Sequence, residues 1–264
     1  MIHDTLETLT FSIQGLVGHV ILNRPLVHNA FNRKMIRELI TVFEAIEHMP
    51  DLRVVVLRGE GKSFCAGADL NWMREIKDYT YDENLRESLD LAKMLHLIYS
   101  SSKPTIARVQ GAAIGGGTGL VAVCDIAVAE LDAKFSFSEV KLGLIPACIS
   151  PYVIKKCGEG ACREFFLTGE RLSAERARAA GLVSRVVPFD DLDRTVDELA
   201  NQLVSSGPEA IRKCKELLSR VPQISFEEAR RYTAEVIAQL RIAAEAQEGM
   251  AAFLEKRKPG WNQP

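Results

Sequence analysis

The sequence predicts an α/β protein built on a largely parallel sheet, and three observations carry that prediction. Apolar runs of strand length occur at 54–59, 105–109 and 126–129, with the few polar interruptions expected of strands covered on both faces. Segments with helical spacing of apolar residues separate the first two. Two glycine-containing stretches, Phe64-Cys65-Ala66-Gly67-Ala68-Asp69-Leu70 and Gly111-Ala112-Ala113-Ile114-Gly115-Gly116-Gly117-Thr118-Gly119-Leu120, each follow a β-like run and lead into a helix-like one. The β–α–β alternation runs to about residue 145, which is the pattern of a parallel sheet.

Taken in order, residues 8–13 and 19–23 alternate well enough to be strands, with a turn at Gly15 to Gly18. Residues 32–48 place Met35, Ile36, Leu39, Ile40, Phe43 and Ile46 at helical spacing. Residues 82–99 place Leu85, Leu89, Ala92, Leu95 and Tyr99 on one stripe. Beyond 145 the chain reads as mostly helical, interrupted by Gly181, a strand-like run at 183–187, and Gly207-Pro208. Proline just inside a helix start is in its preferred place. Residues 226–253 form one or two long helices, and the sequence divides into a core over 1–200 and a C-terminal helical region over 201–264.

The chain has 264 residues, 47% of them hydrophobic and 26% charged, as in a soluble globular enzyme. A net charge of −2 leaves no basic footprint for nucleic acid. No apolar run approaches the roughly 18 residues that span a bilayer, and Met1-Ile2-His3-Asp4 lacks the layout of a leader peptide. The six cysteines include no CxxC pair and read as reduced core thiols of a cytoplasmic protein. All five histidines lie at or before His96 without metal-ligand spacing, so no metal site is expected.

Small residues let the two glycine stretches turn tightly and bring backbone N–H groups close to a ligand. If the turns converge, they supply two donors to one carbonyl oxygen, an oxyanion hole. The triplet Gly115-Gly116-Gly117 fits a dinucleotide fingerprint poorly, because the spacing fails at Leu120. Close helix–strand packing and an anion-binding helix start both remain open for it.

Together, the pieces resemble the enoyl-CoA hydratase/isomerase (crotonase) family. The match runs in order through Leu22-Asn23-Arg24-Pro25, Asn29-Ala30-Phe31, the two glycine stretches, Cys124-Asp125-Ile126 and Leu142-Gly143-Leu144-Ile145-Pro146. It continues through Leu167-Thr168-Gly169-Glu170-Arg171, Ala180-Gly181-Leu182-Val183 and Phe253-Leu254-Glu255-Lys256-Arg257. The resemblance implies a crotonase-like spiral of ββα units with a C-terminal helical layer that builds trimers or hexamers. It implies that coenzyme A enters as part of the substrate, with no further cofactor.

By family position, the N–H groups of Ala68 and Gly116 hold the thioester oxygen and stabilise an enolate. One such donor is typically worth about 2.7–4 kcal/mol in the transition state. Family hydratases use two glutamates. The second is present as Glu139, while the place of the first holds Gly119, which has no proton to give or take. Enclosure of Glu139 implies a raised pKa suited to proton exchange near neutrality. Arg24 and Lys256 are expected to meet CoA phosphates, Ala66, Ala68 and Leu70 to line the adenine and pantetheine site, and Asp69 to belong to the same substrate-binding turn. Asp69 and Asp125 are also expected to make structural hydrogen bonds.

The resemblance therefore implies a hydratase-type lyase acting on a short or branched unsaturated acyl-CoA. Residues 139–153 are similar to bacterial 3-methylglutaconyl-CoA hydratases of leucine breakdown. The alternative is a Δ3,Δ2-enoyl-CoA isomerase using Glu139 alone. A non-catalytic acyl-CoA-binding relative, or an RNA-binding one disfavoured by the acidic balance, is the further alternative.

Overall fold

The computed structural model describes residues 6–262; the segment read as lacking a leader, Met1 to Asp4, lies outside them. Strands β1 (Leu9–Gln14) and β2 (Val17–Leu22) form an antiparallel hairpin. It turns at Gly15, whose φ of +58° suits a residue without a Cβ. Helix α1 (Arg33–Glu47) follows, started by Asn32, whose side chain accepts the Met35 N–H at 2.8 Å. Its buried face comprises the six apolar residues that the spacing selects, with Glu38 and Val42 beside them.

Strand β3 (Val54–Gly59) pairs in parallel with β2. Its continuous apolar run has two destinations. Val55 and Leu57 join the main core with α1, whereas Val54 and Val56 join a second cluster on the opposite face. Next come α2 (Leu70–Ile76) and α3 (Tyr81–Ser100), the latter opened by a reciprocal Thr80–Glu83 capping box. Only the C-terminal half of α3 is buried, through Met94, Leu95 and Ile98; Leu85 and Leu89 are exposed. The expected stripe therefore covers the core over half the helix.

Strand β4 (Thr105–Val109) continues the parallel sheet. A short β5 (Ala112–Ile114) leads into α4 (Gly116–Val123), and β6 (Ile126–Glu130) returns beside β4. Then follow β7 (Lys134–Ser136), a 3-10 turn over Ser138–Leu142, α5 (Ser150–Thr168), β8 (Arg171–Ser173), α6 (Ala174–Ala179) and β9 (Arg185–Val187). The main sheet has the order β1-β2-β3-β4-β6-β9, and β5-β7-β8 form a separate small sheet. The sequence reading contains none of the strands of that small sheet, because three residues show no period. The strand expected over 183–187 begins at Arg185.

Helix α7 (Phe189–Val204) closes the second face of the main sheet by burying Leu192, Val196 and Leu199 against Val54, Val56, Ile106 and Val128. Each such side chain contributes about 1.5–3 kcal/mol by leaving water. The C-terminal region is α8 (Pro208–Arg220), α9 (Phe226–Ile242) and α10 (Ala244–Leu254), with Pro208 in the first turn of α8. Lys215 of α8 reaches back to Asp125 at 2.5 Å, and Asp125 also accepts the Thr105 N–H and hydroxyl. Of the cysteines, Cys65, Cys124 and Cys162 are buried and Cys214 is exposed. No helix among the described residues is long and apolar enough to cross a membrane.

Candidate active site

The two glycine stretches lie side by side. Cys65 donates its N–H to Ala112 O at 3.0 Å, and Ile114 donates back to Cys65 O at 2.9 Å. This approach needs glycine opposite: a Cβ built on Gly117 would stand 2.2 Å from Cys65 O. Burial pushes the Cys65 thiol up to about 12, so it is a neutral packing group at physiological pH.

The first turn leaves one donor free. Phe31 donates to Gly67 O at 2.6 Å and accepts from the Asp69 N–H at 2.8 Å, a parallel bridge centred on Ala68. In such a bridge the N–H of the central residue points the other way. The Ala68 N–H accordingly has no protein acceptor among the described residues, and Ala68 is exposed. The second donor arises differently. Gly116 is the first residue of α4, where backbone N–H groups have no intrahelical partner, and Gly115 before it has no side chain to cap them. A Cβ on Gly116 would lie 2.9 Å from the edge of the Phe31 ring, and the Phe31 backbone forms the bridge to Ala68. Phe31 thus meets both donor-bearing turns, one through its ring and the other through its backbone.

Glu139 reaches the same place through the small sheet. Gly115 donates to Ser136 O at 2.8 Å, and the Thr118 hydroxyl donates to Ala113 O and Ser136 O at 2.6 and 3.0 Å. The end of β7 is thereby fastened to the start of α4, and the 3-10 turn that follows carries Glu139. Its Oε1 would be 3.1 Å from a Cβ on Gly115. Its Oε2 is buried with no hydrogen-bond partner among the described residues. Burial raises the Glu139 pKa above the ordinary carboxylate value, and its own backbone N–H opposes that shift without cancelling it. A half-buried carboxyl with one oxygen unpartnered, next to a helix N-terminus, is equipped to exchange a proton.

Gly119, one turn along α4, is buried. The space over it is taken by Ile149: a Cβ on Gly119 would lie 2.2 Å from Ile149 Cγ2. Sequence reasoning singles out Gly119 for what it lacks and misses Ile149, which only folding brings over it.

The expected binding residues divide. Ala66 is half-buried, with its N–H donated to His28 O at 2.9 Å, and Leu70 is 69% exposed at the start of α2. Asp69 caps α2 by accepting the Asn71 N–H and pairs with Arg24 at 2.7 Å. Burial works against ionisation of Asp69, but Arg24 and the Asn71 N–H outweigh it and hold the carboxyl below its usual range. Arg24 also donates to Ala30 O at 2.5 Å, so its guanidinium is tied into the turn that holds Phe31. Lys256 lies after α10, exposed and at φ +56°, and no hydrogen bond or ion pair joins it to the turns among the described residues. A cleft of about 730 Å³ opens beside Arg24, Asp69, Asn71 and Trp72, and its rim adds Arg33, Lys34 and Arg37. Asn29, at φ +55°, is a further residue the motif reading leaves without a role. Its side chain joins Arg24 N, Glu60 O and Ser63 O at 2.8–2.9 Å and fixes the loop before Phe31.

The sequence model of the enoyl-CoA hydratase/isomerase family matches residues 12–264. A Legionella pneumophila structure described as a candidate enoyl-CoA hydratase/isomerase (crotonase) superposes with a TM-score of 0.93 at 45% identity, covering 98% of this chain and 100% of that one. An enoyl-CoA hydratase from Shewanella pealeana gives a TM-score of 0.95 at 39% identity, covering 98% of each chain. The 2,3-dehydroadipyl-CoA hydratase of Escherichia coli is 32% identical over 255 residues, 96% of this chain and 98% of its own. The chain belongs to the enoyl-CoA hydratase/isomerase family, and its fold is the crotonase fold.

Proposed function

We propose that this chain is an enoyl-CoA hydratase-type lyase, with Glu139 as the group that carries the proton. The observation behind this reading is the Glu139 carboxyl, whose buried Oε2 has no hydrogen-bond partner among the described residues, set against Gly115 directly before the Gly116 N–H. The thioester oxygen accepts from both N–H groups. Water adds its oxygen to C3 as its proton passes to the Glu139 carboxylate, and the C2–C3 π pair moves into an enolate. The enolate then takes that proton from Glu139 at C2, which regenerates the carboxylate and adds one water overall. A single carboxyl completes this cycle.

Arg24, Ala66, Asp69, Leu70 and Lys256 form the substrate-binding set in this reading. Arg24 and Asp69 act by holding the Ala68 turn in place, and Lys256 acts from a neighbouring subunit. Exposure of Ile242, Phe253 and Leu254 at 83%, 83% and 78% supports a trimer or hexamer in which these side chains are covered. The acyl group is short or branched and carries a distal carboxylate, as in 3-methylglutaconyl-CoA. The similarity of residues 139–153 and the Escherichia coli 2,3-dehydroadipyl-CoA hydratase support that choice. Coenzyme A enters with the substrate and no other cofactor is used.

Occupation of the space over Gly119 by Ile149 favours a second reading, the Δ3,Δ2-isomerase, in which Glu139 takes a proton at C2 and returns it at C4. Mass spectrometry of the products from crotonyl-, 3-hexenoyl- and 3-methylglutaconyl-CoA separates the two. Hydration adds the mass of one water, isomerisation leaves mass unchanged, and no water gain on any of the three rejects the lyase.

A further inference from the structure

Gly119 and Ile149 form a fitted pair whose geometry bears on how many acids the site can hold. A Cβ on Gly119 would lie 2.2 Å from Ile149 Cγ2 and 2.9 Å from Ile149 Cβ, closer than packed carbon atoms approach. Ile149 is 3% exposed, and its carbonyl accepts the Tyr152 and Val153 N–H groups at 3.1 Å each, which pins its backbone at the start of α5.

The position of this contact gives it chemical weight. Gly119 donates its N–H to Gly115 O at 3.0 Å, so the two glycines occupy successive turns at the start of α4. Glu139 lies against Gly115 and Ile149 against Gly119. The segment that presents the Gly116 donor therefore meets a carboxyl on one turn and a branched apolar side chain on the next.

Resting on the reading of Glu139 as the proton carrier, we propose that Ile149 excludes a second acid from the site: it fills the volume that any side chain at position 119 requires, and so leaves proton transfer at the thioester to the single carboxyl of Glu139. It touches no reacting atom and acts by exclusion. Water entering for hydration then has one base to meet, and the proton it gives up is the one later returned to C2. A second acid at 119 becomes usable only when Ile149 is cut back.

The test is a set of variants measured together. Gly119→Glu alone is expected to leave crotonyl-CoA hydration at or below the wild-type rate, because the new side chain must displace Ile149. Gly119→Glu with Ile149→Gly is expected to hydrate crotonyl-CoA faster than Gly119→Glu alone, by roughly a hundredfold, the lower end of what a positioned acid or base contributes. Its pH–rate profile should gain an ionisation that wild type lacks, which a purely structural rescue does not produce. Thermal melts of Gly119→Ala, Ile149→Ala and the double variant should be non-additive, with Ile149→Ala removing most of the cost of Gly119→Ala. Equal hydration by Gly119→Glu with and without Ile149→Gly, or additive melts, overturns the proposal. A wild type inactive on all three thioesters instead removes the function on which the proposal rests.

Discussion

The Glu139 carboxyl rests against Gly115, with Oε1 3.1 Å from where a Cβ on that glycine would sit. Gly115 has φ +53° and ψ −118°, a region that L side chains rarely enter, and it directly precedes the Gly116 donor. One glycine thus sets both the direction of the donor and the approach of the acid. Gly115→Ala should cost about 1–3 kcal/mol from backbone strain. The same change should also push Glu139 away and lower kcat more than it raises KM. Thermal melts and steady-state kinetics of the purified variant check both parts.

The raised pKa of Glu139 sets the sign of the activity profile. In the proposed cycle Glu139 begins as a carboxylate in either direction, so kcat/KM should fall as pH drops through a value above the ordinary carboxylate range. A profile whose acid limb lies at the ordinary value would contradict the enclosure described for this side chain.

Stability should respond in the opposite sense. A carboxyl whose pKa is raised by burial favours the fold when protonated. Its contribution is fully present below the unfolded value and is lost as pH rises through the folded one. Glu139→Gln should therefore melt higher than wild type at alkaline pH, and the difference should shrink toward acid pH. A pH series of melts on the two proteins reads this directly.

Asp69 connects the Ala68 turn to its supports, since it caps α2 and pairs with Arg24. Asp69→Ala removes the cap and leaves the half-buried Arg24 without its carboxylate, a loss of about 1–3 kcal/mol in chemical denaturation. Because its pKa is lowered, the contribution of Asp69 is present above the unfolded value and fades as pH falls through the folded one. The gap between Asp69→Ala and wild type should close in strong acid.

Much of this architecture can be read from the chain alone, for reasons that also mark the limits. Strands β3 and β4 fall where their apolar runs lie, because both faces of each are buried and only Arg58 in β3 and Thr105 and Arg108 in β4 interrupt the apolar pattern. The α1 stripe is equally readable, since its buried residues recur along the whole helix from Met35 to Ile46. The α3 stripe overreaches at Leu85 and Leu89, where an apolar period continues past the core. Strand β5 hides inside the second glycine stretch, and the β7 and β8 strands are too brief to show alternation, yet this small sheet is what fastens Glu139 to Gly115. Ala68, Gly116 and Glu139 are proposed from motif, and the glycine stretches and the turn carrying Glu139 do come together in the fold. Ile149 is not, because filling a space beside Gly119 leaves no local pattern; an isoleucine just after Pro146-Ala147-Cys148, paired with a missing side chain at 119, is the only hint available.

Glu139 is proposed to carry the proton at a thioester held by Ala68 and Gly116. The most direct test of this role is the kinetics of Glu139→Gln against wild type on whichever of the three thioesters turns over. The expected kcat is lower by roughly 10²–10⁴-fold with KM little changed, because glutamine keeps the shape and cannot exchange the proton. A variant that turns over as fast as wild type would contradict it.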